Sequence, residues 1–163
     1  MTKSTLSLPS ASNSYHQEHV VMMLENLKKW TGYDLIQEYG FSLETIGKQV
    51  FNADFYILSH DRAADPILNY ANQRVLDLWE VSWTELTSMY SRDTAKSIDR
   101  DARSAIMAIV KVQNYINGYS GTRISKTGTE FNILDGTVWN LYNSNDDFWG
   151  QAAWFKQVEN LGE

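Results

Sequence analysis

Residues 54–86 read DFYILSHDRAADPILNYANQRVLDLWEVSWTEL, and this stretch decides the fold. Phe55 to Leu58 is a short run of β-favouring residues, and Asp65-Pro66 makes a turn that no helix can cross. Ile67 to Ala71 reads as a second strand. Asn72 then stands where an N-cap belongs, its side-chain oxygen free to accept a backbone N–H of the next turn. Val75, Leu76, Leu78 and Trp79 supply the apolar face of the helix that follows, and Ser82 with Glu85 forms a capping box for another. The stretch is strand, turn, strand and two capped helices.

Outward toward the N-terminus, residues 1–13 are rich in Ser and Thr and predict a flexible leader. Ser14 and Gln17 match a capping box that opens an amphipathic helix over residues 14–32. Val20, Met23, Leu24, Leu27 and Trp30 recur there at helical spacing until Gly32 ends the run. This stripe can cover a sheet or pair with its own copy, so Val20, Met23, Leu24 and Leu27 are the candidate dimer contact. His16 and His19 share a face but lack an evident third ligand, so no metal site is read from them. Ser42 caps a short helix outlined by Leu43, Ile46, Val50 and Phe51 and weakened by Gly47, within a main domain over residues 33–163.

Toward the C-terminus, residues 87–97 are polar and predict a mobile loop. Residues 99–116 predict a long helix whose buried stripe is Ala102, Ala105, Ile106, Ile109, Val112 and Ile116, ended by Asn117-Gly118. A β-meander follows over 119–125, 130–142 and 148–158, with a hairpin turn at Gly128 and a bend near Asp135-Gly136. Two strands, helices and three strands make an α+β domain with one five-stranded antiparallel sheet and helices on one face.

The totals narrow the function classes. The 163 residues suffice for one domain with a proper core. A net charge of −6 without a basic run argues against phosphate-driven nucleic-acid binding. There is no cysteine, which excludes disulfides, thiolate metal sites and cysteinyl-flavin photochemistry, and fits a cytoplasmic address. The leader has no apolar core of a signal peptide, and no window is long and apolar enough for a membrane span. Six Trp and nine Tyr are high; such rings fill cores, and they also suit a small planar ligand.

Strand, ILNYAN, capped helix, long helix and meander together resemble the PAS fold. The segments SHDRAADPILNYANQRVLDLWEVSWTEL, GYSGTRISKTGTEFNI, DGTVWNL and GQAAWF resemble the MEKHLA domain, a PAS-like family, over about residues 30–158. Family members occur alone in bacteria, including cyanobacteria, and at the C-terminus of plant class III homeodomain–leucine zipper regulators. The resemblance implies the sheet order 2-1-5-4-3 and a sensory or dimerisation module without catalysis. Its signal would leave through a homodimer or a protein partner.

Specific chemistries can be set against the residues. Non-covalent flavin needs amides at the ring edge, for which Asn132, Asn140 and Gln151 on the meander are available. Haem would have to use His60, because the long helix carries no histidine. A small organic ligand between sheet and helices is the general expectation. Trp79, Met107, Tyr115 and Trp139 are its candidate apolar walls, and Asn69, Arg123 and Gln151 its polar anchors. The alternative is an interaction module with a filled core. A more remote one is an enzyme using His60 and Asp65 as acid–base groups.

Overall fold

The computed structural model of the chain describes residues 6–161. In order, the elements are α1 (Gln17–Thr31), α2 (Leu35–Tyr39), α3 (Ile46–Phe51), β1 (Tyr56–His60), β2 (Leu68–Ala71), α4 (Gln73–Trp79), α5 (Trp83–Leu86), α6 (Arg100–Gln113), β3 (Tyr115–Ile124), β4 (Glu130–Tyr142), β5 (Phe148–Phe155) and β6 (Gln157–Asn160). The sheet is antiparallel in the order β2-β1-β5-β4-β3, the order that the sequence resemblance implies. The run expected as one last strand divides at Lys156. Its end, β6, pairs with Phe131–Leu134 at the start of β4.

Asn72 fixes the junction of the first half. Its Oδ1 accepts from the N–H of Val75 (3.3 Å), capping α4, and from the N–H of Ile57 in β1 (3.4 Å). Its Nδ2 donates to the carbonyls of Val50 at the end of α3 (3.1 Å) and Phe55 before β1 (2.8 Å). The Ser82–Glu85 capping box also forms, with Ser82 Oγ accepting from Glu85 N–H and Glu85 Oε1 from Ser82 N–H.

Helices cover both faces of the sheet rather than one. Adjacent residues of a strand point to opposite faces. Trp139 Nε1 donates to the Met23 carbonyl of α1 (3.0 Å), whereas Asn140 Nδ2 donates to the Val110 carbonyl of α6 (3.0 Å). The stripe of α1 is therefore consumed by the fold: Val20, Met23, Leu24 and Leu27 are buried within the chain itself. This corrects the expectation that those four form a dimer contact, because packing on the sheet leaves them nothing to present to a second copy.

Helix α1 begins at Gln17 rather than in a Ser14 box. Ser14, Tyr15 and His16 form a left-handed turn, and Asn13 Oδ1 accepts from the N–H groups of Ser10 (2.9 Å) and Tyr15 (3.1 Å) instead. The turn lies so close to α3 that a Cβ on Gly47 would meet the Ser14 carbonyl at 2.8 Å. Of the expected flexible leader, residues 1–5 lie outside the described residues. Further along it, the Leu6 carbonyl accepts from Trp83 Nε1 (3.3 Å) and Pro9 is buried. Within segment 87–97, expected as a mobile loop, Thr87, Ser91, Thr94 and Ala95 are buried.

Helix α6 keeps only part of its expected stripe inside: Ile106 packs against the sheet, as does Ile116, which lies on β3. Arg103 and Val110 are its buried residues, while Ile109 is 41% and Val112 83% exposed, and Ala102 and Ala105 are exposed with them. The helix stops at Asn114, whose φ of 78° puts it in the left-handed region, so β3 starts earlier than its turn-like Asn-Gly suggests. Among the described residues no helix is long and apolar enough to cross a membrane.

Two stability predictions follow from these contacts. Asn72→Asp keeps a good capping acceptor but sets a carboxylate oxygen against the Val50 and Phe55 carbonyls; a loss of about 2–4 kcal/mol in urea unfolding is expected, and wild-type stability would refute the role given to Nδ2. On the α1 face, His19 Nε2 donates to Ser59 Oγ (2.8 Å), which donates to Asn69 Oδ1 (2.6 Å). Desolvation, then His16, push the His19 pKa down to about 4. Burial also lowers that of His60. The unfolded chain therefore binds protons that the folded chain refuses, so stability falls as pH drops from 6.5 toward about 4. Thermal melts should show that fall, and His19→Gln should flatten it.

Candidate functional site

Between one face of the sheet and the helices above it lies a recess of about 50 Å³. Its floor comes from Leu58 and His60 of β1, Gln151 and Ala153 of β5, Val138 of β4, and Tyr119 and Arg123 of β3. Trp79 of α4, Ser91 and Thr94 of the following turn, and Arg103 and Met107 of α6 form the roof. Trp79 is fixed by its Nε1, which donates to the Thr94 carbonyl (3.4 Å). A space of this size takes roughly four waters, or a group of a few heavy atoms.

Two arginines dominate its electrostatics. Arg103 and Arg123 are only 8% and 5% exposed. Arg103 donates to Ser91 Oγ, and Arg123 donates to the Tyr119 hydroxyl (2.6 Å) and the Thr122 carbonyl (2.8 Å). Neither forms an ion pair with a carboxylate among the described residues. Burial and then the nearby Arg123 charge bring the Arg103 pKa down to about 10. Gly121 makes the arrangement sterically feasible, since a Cβ there would meet the Tyr119 hydroxyl at 2.2 Å.

The neutral polar groups mostly hold the frame. Gln151 Nε2 donates to the Met107 carbonyl (3.1 Å) and to Asn140 Oδ1 (3.0 Å). Asn140 in turn donates to the carbonyls of Val110 (3.0 Å) and Lys111 (3.2 Å), so this amide ladder docks α6 on the sheet. His60 Nδ1 lies 2.9 Å from the Asp61 carbonyl. A second cleft of about 270 Å³ adjoins the cavity and shares His60, Arg103, Met107 and Gln151 with it. Its outer wall carries Arg62 and Lys111, with Asp61 the acidic residue there. Asp61 Oδ1 already accepts from the N–H groups of Ala63 (3.1 Å) and Ile67 (3.0 Å).

Of the residues named from the sequence, Trp79, Met107, Arg123 and Gln151 line the cavity. Trp139 does not, because it faces α1, and Tyr115, directly opposite it on β3, packs against the main core. Asn69 bonds Ser59 on the α1 face. Missed were Arg103, Ser91, Thr94, Tyr119 and Leu58. Arg103 had a usable signal, since it sits four residues before Met107 and must share its helix face.

The cofactor and enzyme alternatives meet this geometry poorly. The amides considered for a flavin edge are already engaged: Asn140 and Gln151 bond each other and α6, and Asn132 bonds Thr122 and Glu159. The cavity is also too small for a flavin ring system. A haem would need a bond from His60, which is buried beside Asp61 and Gln151. Asp65 is paired with Arg92 at the surface, so the structure does not unite it with His60.

Comparison with known structures supports the fold. The PAS domain of a protein from Colwellia psychrerythraea superposes with a TM-score of 0.58 at 14% identity, over 79% of this chain and 98% of that one. A structure described as an RNA-binding Light-Oxygen-Voltage receptor gives 0.58 at 17% identity, over 71% of this chain but only 32% of that one. A Light-Oxygen-Voltage domain studied with a flavin analogue gives 0.57 at 13% identity, over 73% of this chain and 86% of that one. No curated protein sequence matches. The MEKHLA domain model matches residues 17–160, nearly the whole folded length, and the chain belongs to the MEKHLA domain family.

Proposed function

We propose that this chain is a non-catalytic, cytoplasmic sensory module that binds a small molecule between α6 and the sheet and signals through protein association. The observation that carries this reading is the cavity itself, a partly open recess with apolar walls and a few fixed polar groups. The likeness of the fold to PAS and Light-Oxygen-Voltage domains supports a sensory role. With no cysteine in the chain, a cysteinyl-flavin photocycle is no part of the proposal.

The outer side of α6 favours association with a second copy. Ala102, Ala105, Ile109 and Val112 of α6 follow three-, four- and three-residue steps, the spacing of a helix-pairing seam, and all are exposed. Asp99 and Asp101 flank its start, with the Arg100 between them paired to Asp93, and Lys111 its end, so an antiparallel copy sets opposite charges together. The dipoles of the two helices are then antiparallel as well.

Native mass spectrometry and a metabolite thermal-shift screen test the ligand. A true ligand at a hundredfold excess over its Kd adds about 2.7 kcal/mol, or roughly 5–10 °C in Tm for this chain length. No retained mass and no shift, together with a Met107→Trp variant stabilised by filling the space, would leave the interaction module instead. Light scattering tests the association. A dimer that Ile109→Glu plus Val112→Glu converts to a folded monomer is expected, and a dimer that survives removes α6 as the contact.

A further inference from the structure

We propose that the ligand is an organic acid whose anionic group lies between Arg103 and Arg123, with its carbon body against the apolar cavity wall. This rests on the sensory reading above and adds the chemical class of what is sensed. Burying a guanidinium without a counter-charge is costly, and here two share one small space with only hydroxyl and carbonyl partners. A carboxylate relieves both at once, since each guanidinium presents a planar fork of donors.

The approach to the site carries the same sign. The chain as a whole is acidic at −6, yet the adjoining cleft is lined by Arg62, Lys111 and the edge of Arg103. Its Asp61 carboxylate is outnumbered by these three cations, and its Oδ1 is held by two backbone N–H groups. An anion is thus drawn along a locally positive path to the two buried arginines. Trp79, Met107, Leu58 and Leu68 line the remaining wall, which suits a hydrocarbon body better than the hydrated surface of inorganic phosphate. The size of the inner space limits the head to a few heavy atoms, and the cleft takes a longer tail.

The test is a thermal-shift and calorimetric series on the full chain, using two- to six-carbon carboxylic acids, each beside its own primary amide, with inorganic phosphate as a further probe. The expected result is that one or more acids raise the Tm while the matching amides and phosphate do not. Arg103→Met and Arg123→Met should each weaken the Kd of that acid by roughly tenfold to a hundredfold. The proposal is overturned if no acid shifts the Tm, if an amide or phosphate matches the acids, or if the acid response survives both substitutions. Native mass spectrometry separates the two layers: a retained neutral molecule rejects the anion and keeps the sensory reading, whereas no ligand of any charge rejects both.

Discussion

One buried amide holds the first half of this domain together. Asn72 is fully buried and bonds the end of α3, the entry and body of β1, and the first turn of α4. An aspartate or serine could cap α4 equally well, but neither could also donate to two carbonyls. Because the same side chain sets where β1 lies and where α4 starts, it sets the height of Trp79 over the sheet. The cavity roof thus depends on a residue that never touches the cavity.

The second constraint is the pair of buried cations. Most of the interior obeys ordinary rules, with aromatic rings packed edge to face, as Trp79 on Phe131 and Tyr70 on Trp83. Against that background Arg103 and Arg123 are conspicuous, because their hydrogen bonds are satisfied while their charge is not. Gly121, Tyr119 and Ser91 serve the same arrangement, by leaving room or accepting a bond. Residues that look like loop or strand filler in the sequence thus acquire a common purpose.

The elements that could be read in advance were those written in local chemistry. The Asn72 cap, the Ser82–Glu85 box and the bend at Asp135 are each set by neighbours within a few residues. Which face a strand residue takes is not local, and each misplaced ligand candidate lies at or beyond a bulge. Along β3 and β4, Ile116 faces Val138, Tyr119 faces Gly136 and Gly121 faces Ile133, so each strand carries one unmatched residue. That slip reverses the alternation and sends Tyr115 and Trp139 to the α1 side. Asn69 is the unmatched residue of β2, between the Ser59–Tyr70 and His60–Leu68 pairs. The orientation of α6 was hidden for another reason: periodicity reveals an apolar stripe but not whether the sheet or another surface receives it.

Helix α6 therefore sits on the sheet with a cation and an amide ladder beneath it and much of its hydrocarbon outside. What apolar burial it has comes from a small cluster of Val110, Ile106 and Met107 on Tyr119 and Val138, separate from the main core. Lifting it would open the recess to solvent, and would cost this cluster and the amide ladder rather than the main core. A molecule bridging Arg103 on α6 to Arg123 on β3 would add a further tie between helix and sheet. The bound and free proteins would then differ less in shape than in how firmly α6 is held.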